Sequence, residues 1–291
     1  MNLLRIFTRY PDQEACIAFL EKVRWADSPH CPHCGCTHVA RKQENGRVGR
    51  WNCHGCRSSF NVLSGTVMEK TQVPLQKWFA AFSLMINAKK SLSSHQLGRD
   101  LDMNQRTALF MQERIRASML NGQKELLQGI VEADEVYIGG KPRKGCKRED
   151  DKPNKRGRGT KKTPVIGAVE RGGKVVAKVS RDLTGKGLLE FLKQNVERYG
   201  TLLITDELTA YNLAKKFFMS ATINHSERYV DGETHTNTIE GFWSLLKRAW
   251  FGSHHHYTEN RMPLYVAEAC WKYNQRKNPD AFGTLIRGCF P

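Results

Sequence analysis

The stretch from Thr201 to Trp250 restricts the possible folds of this chain more than any other. It begins TLLITDELTAYN and ends HTNTIEGFWSLLKRAW. Leu202, Leu203 and Ile204 form a short apolar run stopped by Thr205 and Asp206. Such a run reads as a buried parallel strand whose end sets a carboxylate at the sheet edge. From Asn237 to Trp250 the period changes to that of a helix, with Ile239, Phe242, Leu246 and Ala249 as an apolar stripe. Asn237, Glu240, Ser244 and Lys247 share another face, so an acid and a base seven residues apart point the same way. An acidic strand end followed by an acidic helix suggests a metal site that handles phosphate. Such a site needs a third carboxylate upstream, and Asp134 in IVEADEVYIGG is placed to supply it.

The remainder of the chain is read around that expectation. Residues 12–25 form an amphipathic segment, with Asp12 as its cap and Ala15, Phe19, Leu20 and Val23 as its buried side. Residues 29–62 contain Cys31, Cys34, Cys53 and Cys56 as C-x2-C-x18-C-x2-C. This spacing suits a four-thiolate Zn²⁺ site, closed and therefore structural. Val39–Arg41 and Arg50–Asn52 read as strands of a small ribbon, with Cys36, His33 and His54 as competing ligands or bystanders near the site.

Residues 63–122 turn helical. Pro74 opens LQKWFAAFSLMINAKK, with Trp78, Phe79 and Phe82 inward. Ser94–Leu101, a turn at Asp102-Met103-Asn104 and Gln105–Met119 then have the outline of a helix-turn-helix. Gln105, Arg106 and Thr107 would open the recognition helix.

The last domain, 123–291, begins with a strand at Ile130–Ile138. Residues 139–162 hold eleven Lys or Arg and no aliphatic or aromatic side chain, which predicts a basic loop able to touch phosphates without sequence preference. A hairpin follows at Pro164–Glu170 and Lys174–Ser180, then a helix at Gly187–Tyr199 with Leu188, Leu189, Leu192 and Val196 buried. Strand Leu202–Thr205, helix Leu208–Phe218 and a short strand at Ala221–Ile223 complete the order before the acidic helix. The succession predicts an α/β domain in which an antiparallel meander leads into crossovers.

Charge agrees with a polyanionic partner. The chain carries 46 Lys and Arg against 29 Asp and Glu, a formal surplus of +17, which points to nucleic acid. Paired cysteines, no apolar run long enough for a membrane and no signal-peptide-like start give the expectation of a cytoplasmic protein with no membrane partner.

Taken together, CPHCG…CHGC, ADEVYIGG, ITDELTAYN, HTNTIEGFWSLLKRAWFG and WKYNQR resemble bacterial insertion-sequence transposases of the DDE type with an N-terminal zinc ribbon, the group related to the eukaryotic Merlin elements. The resemblance spans nearly the whole chain. It implies an RNase H-like catalytic domain whose mixed sheet is flanked by helices. It also implies Mg²⁺ or Mn²⁺ on Asp134, Asp206 and Glu240, with Lys247 as the trailing base. Asn237 and His235 are rivals for the third ligand. The implied activity is cutting of element ends and joining of 3′ ends to target DNA by two-metal phosphoryl transfer. The implied partners are terminal inverted repeats and target DNA, and the implied assembly is a homo-oligomer on DNA at the nucleoid. A DNA-binding regulator with a dead catalytic domain is the competing reading, and the intact acid set argues against it. The run His254-His255-His256 is expected to be a loop near the site or the DNA, and Trp243 and Trp250 to be core or interface anchors.

Overall fold

A computed structural model describes residues 1–42, 48–120, 125–139, 162–223 and 235–290. Nearly all of the basic segment 139–162 lies outside the described residues. The chain forms two compact units, Met1–Gly122 with Gln275–Pro291, and Gln123–Asn274.

In the first unit, α1 (Leu3–Arg9) and α2 (Gln13–Trp25) precede a three-stranded antiparallel ribbon, β1 (Val39–Arg41), β2 (Arg50–Cys53) and β3 (Ser59–Asn61). Asp12 caps α2 by accepting from the Ala15 amide at 2.7 Å. The buried side of α2 is Cys16, Leu20, Glu21 and Trp25, whereas Ala15, Phe19 and Val23 are only half-buried. The apolar stripe misses Glu21 because its burial depends on the ribbon. Trp51 Nε1 donates to Glu21 Oε1 at 2.8 Å, and Arg41 pairs with Oε2 at 2.6 Å. Trp25 adds edge-to-face contacts with Trp51 and Phe60, each at 5.8 Å between ring centres.

Three helices follow: α3 (Leu75–Asn87), α4 (Ser94–Asp100) and α5 (Gln105–Met119). Ser93 and Asn104 cap the last two through the Gln96 amide at 3.1 Å and the Arg106 amide at 2.8 Å. The turn between them is tight. Asp102 takes a left-handed φ of 46°, and a Cβ on Gly98 would meet the Met103 carbonyl at 2.9 Å. Two helices joined by a tight turn thus occupy the segment in which the sequence suggested a helix-turn-helix outline. The chain end departs from expectation: residues 275–291 belong to this unit and not to the second. Their helix, α10 (Ala281–Arg287), buries Phe282, Leu285 and Ile286, and Phe282 meets Phe79 of α3 edge-on at 5.8 Å. Sequence adjacency assigned the segment to the preceding domain; burial of these apolar side chains assigns it elsewhere.

The second unit is a five-stranded mixed sheet. Its strands are β4 (Leu127–Ile138), β5 (Thr163–Glu170), β6 (Val175–Val179), β7 (Val196–Asp206) and β8 (Met219–Ile223), in spatial order β6-β5-β4-β7-β8. β4, β5 and β6 pair antiparallel, and β7 and β8 add parallel to β4. This is the RNase H-like arrangement. α6 (Gly185–Asn195) and α7 (Asn212–Phe217) cover one face; they share a core with Leu127, Val131, Ala133, Ile166 and Leu203. On the other face, α8 (Asn237–Arg248) packs in a core with Val136, Ile138, Val165 and Val169, to which α9 (Met262–Asn274) contributes Met262, Tyr265 and Val266. Several boundaries differ from the sequence reading, two of them in kind of structure. α6 ends at Asn195 and Val196 opens β7, where it pairs with Leu127. The expected helix at 208–218 begins as a 3-10 turn at Thr209–Tyr211. Among the described residues no helix is long and apolar enough to cross a membrane.

Candidate active site

The zinc-ribbon cluster forms as the spacing predicts. Among the described residues, Cys31, Cys34, Cys53 and Cys56 bring their four sulfurs within 4.8 Å of one another. Each CxxC turn directs an amide inward: His33 N–H donates to Cys31 Sγ at 3.4 Å and Cys56 N–H to Cys53 Sγ at 3.5 Å. Hydrogen bonds from the Ser58 hydroxyl and amide lower the Cys56 thiol, towards the thiolate form that binds metal, while the neighbouring thiols raise Cys34. A tetrahedral Zn²⁺ with four thiolates fits this donor set and leaves no open position. Cys36 and His33 are outside the cluster, and His54 stacks on His38 at 4.4 Å between ring centres.

The acidic residues meet on the α8 face of the second unit. β4 and β7 run parallel with Ala133 opposite Thr205. One step further, Asp134 and Asp206 are neighbours on the same face of adjoining strands. Asp206 Oδ1 accepts from the Leu208 amide at 3.1 Å, in a turn that ends the strand. α8 buries Ile239, Phe242, Trp243 and Leu246 and exposes Asn237, Glu240 and Lys247. The predicted pairing of Glu240 and Lys247 on one outward helical face therefore holds.

Asp134 is the electrostatic centre of the group. Burial raises its carboxyl to about 6, and the charges of Asp206 and Glu240 add to the shift. The Glu135 amide and the Trp243 indole oppose it, the indole by donating to Asp134 Oδ2 at 3.0 Å. Asp206 and Glu240 thus both act on Asp134 through space. A hard divalent cation with oxygen preference would offset their charge. The donor set fits Mg²⁺ or Mn²⁺.

Several features escaped the sequence reading. Trp243 is a core residue as expected, but it also holds a site carboxylate. Its ring lies over Gly167 of β5, where a Cβ would come within 2.6 Å of it. On the opposite face Tyr211 is fully buried, donates to Glu135 Oε2 at 3.2 Å, and has its hydroxyl pKa pushed up by burial and by Glu135, Asp134 and Asp206. His235, one of the rivals for the third ligand, has its Nδ1 at 3.0 Å from Arg171. The His254 ring packs on Tyr265 at 4.6 Å, and none of the three consecutive histidines belongs to a metal-ligand cluster among the described residues.

Comparison with known proteins bears on this arrangement. Residues 126–274 match the ISXO2-like transposase domain and residues 11–59 the transposase zinc-ribbon domain. The ribbon match includes α2, in keeping with the Glu21 contacts to Trp51 and Arg41. An uncharacterized protein in transposable element ISH50 of Halobacterium salinarum is 28% identical over 260 residues, covering 85% of this chain and 86% of that one. Among solved structures, the Mos1 strand transfer complex aligns over 72% of this chain and 76% of that chain, with 12% identity and a TM-score of 0.29. A Mos1 transposase paired-end complex with left transposon end aligns over 73% and 79%, with 11% identity and a TM-score of 0.27. With the domain match covering the whole mixed sheet and a four-sulfur ribbon ahead of it, the chain belongs to the ISXO2-like transposases, insertion-sequence transposases with an N-terminal zinc ribbon.

Proposed function

We propose that this transposase cleaves DNA at the ends of its element and joins the freed 3′ hydroxyls to target DNA, with Asp134, Asp206 and Glu240 as the catalytic carboxylates. One observation carries the reading: the parallel register of β4 and β7 sets Asp134 beside Asp206, and the charges of Asp206 and Glu240 both reach the buried Asp134, as expected for acids assembled to share a cation. Divalent ions bound there would activate the attacking oxygen and stabilise the departing one. The chain's own task is placement. Asp134 and Asp206 present oxygens from adjoining strand ends, and Glu240 presents a third from an exposed helical face. Lys247, exposed on the same face of α8, is suited to hold a phosphate of the DNA as a point charge. Trp243 keeps Asp134 oriented and favours its ionised form.

Recognition of the ends belongs in this reading to the first unit. The zinc ribbon and the α4–α5 pair would dock the terminal inverted repeats, with exposed Arg106 at the start of α5. The basic segment 139–162 would add contacts independent of sequence. Assembly would be as a homo-oligomer on DNA. The test is incubation of the full chain with a donor carrying candidate ends and Mg²⁺ or Mn²⁺, followed by strand mapping. Nicks at the element boundary and joined 3′ ends are expected. End binding without cleavage under any divalent ion would replace this reading with that of a DNA-binding regulator.

A further inference from the structure

Glu132 lies two residues before Asp134 on the same face of β4, and its side chain has no solvent exposure. Four donors converge on it. Arg171 Nε reaches Oε1 at 2.6 Å and the Thr238 hydroxyl reaches it at 2.9 Å. The amides of Thr238 and Ile239 donate to Oε2 at 2.9 and 3.0 Å. These amides belong to the first turn of α8, where a capping side chain from the preceding residue ordinarily accepts them. Here the preceding residue, Thr236, makes no such bond. Its hydroxyl instead meets Glu240 Oε1 at 3.3 Å. The cap of α8 has passed to a neighbouring strand, and the local residue contacts the exposed acid.

The geometry gives this exchange a purpose. β4 grips α8 at two points, through Glu132 at Thr238 and Ile239 and through Asp134 at Trp243. Two strand residues advance about 6.7 Å, and the four helical residues from Ile239 to Trp243 rise about 6 Å. The spacings match, so the two attachments together set both the height and the rotation of the helix. Arg171, at the β5–β6 turn, braces the first attachment: besides Glu132 it donates to the His235 carbonyl at 2.8 Å, just ahead of α8. A buried carboxylate that accepts from a half-buried guanidinium and two backbone amides holds its partners to narrow geometry, because losing one of these bonds would leave the buried carboxylate underpaired.

We propose that Glu132, braced by Arg171, is a positioning residue that sets α8, and with it Glu240, against Asp134 and Asp206. It acts through the helix and does not touch DNA or metal. Its consequence for cleavage rests on Glu240 being the third catalytic carboxylate; the anchoring itself does not.

The test compares the zinc-loaded full chain with Glu132→Gln by hydrogen–deuterium exchange. Gln keeps one acceptor but faces the other donors with an amide nitrogen. Exchange at residues 238–243 should rise about tenfold, as for a lost helix cap, while β5, β7 and the ribbon stay protected. Mn²⁺ affinity, read by electron paramagnetic resonance, should weaken by a similar factor with end binding unchanged. Unchanged exchange at 238–243, or a rise spread evenly over the second unit, would overturn the proposal. Should Glu132→Gln fail to fold, Arg171→Lys decides: it keeps a cation beside Glu132 but loses the reach to His235. Faster exchange confined to 235–239 supports the anchor, and wild-type protection there refutes it. A wild-type chain that never cleaves DNA would sink the catalytic reading and leave the exchange result standing.

Discussion

The indole nitrogen of Trp243 donates to Asp134 Oδ2 at 3.0 Å, tying a core residue of α8 to a carboxylate of β4. The bond favours the ionised carboxylate and opposes the effect of burial. Trp243→Phe keeps an aromatic ring in the core and removes the donor. The carboxyl of Asp134 should then rise above about 6, and the acidic limb of the cleavage–pH profile should move up by roughly half a unit to one unit. An unmoved limb would separate Trp243 from the chemistry.

Asp134 also links stability to pH. Its carboxyl is raised from 3.8 to about 6, so the folded state binds the proton more tightly than the unfolded state. The associated stability is present below the unfolded value and is lost as pH rises through the folded value. Without divalent ions, Asp134→Asn escapes that loss and should be more stable than wild type at neutral pH, by roughly 1–3 kcal/mol. The difference should vanish near pH 3, and added Mn²⁺ should stabilise wild type alone. Thermal melts across pH, with and without the ion, measure all three.

Asp134→Ala, Asp206→Ala and Glu240→Ala should each stop cleavage and joining and leave end binding within about twofold, because the acids lie in a different unit from the ribbon and α4–α5. Lys247→Ala should reduce cleavage less and weaken DNA placement more. Gel shifts and strand mapping on the same protein preparations separate the effects. A Glu240→Ala protein that cleaves at the wild-type rate would remove Glu240 from the site.

Cys53→Ser should release zinc and unfold the ribbon, since an incomplete thiolate set loses much of its binding free energy. Glu21 and Trp25 of α2 depend on ribbon residues Trp51, Arg41 and Phe60. Protease sensitivity should therefore spread from the ribbon into α2. Metal analysis finding zinc at the wild-type level would contradict this.

The unit boundary at Asn274 bears on fragment design. A fragment spanning 123–291 keeps α10 but lacks α3, exposing Phe282, Leu285 and Ile286. It should aggregate, whereas 123–274 should remain dispersed and bind DNA only weakly and in a salt-sensitive way. Light scattering and salt-dependent binding would show the reverse if α10 belonged with the sheet.

Local chemistry determined much of this protein. The spacing of Cys31, Cys34, Cys53 and Cys56 sufficed for a four-sulfur site because two CxxC turns fix how the ligands converge. The period change between Leu202–Ile204 and Ile239–Leu246 sufficed to set Asp206 at a strand end and Glu240 with Lys247 on an outward helical face. Val196 shows where pattern stops: an apolar residue following Leu188 and Leu192 continues a helical stripe equally well whether it closes a helix or opens a strand. Its pairing with Leu127 decided for the strand. Asp134 and Asp206 become neighbours only through the parallel register of β4 and β7, a relation between segments some 70 residues apart. The burial of Glu21 and Glu132 was illegible for the same reason. A carboxylate reads as surface until distant donors converge on it, and Trp51, Arg171 and the first turn of α8 are brought there by the fold alone.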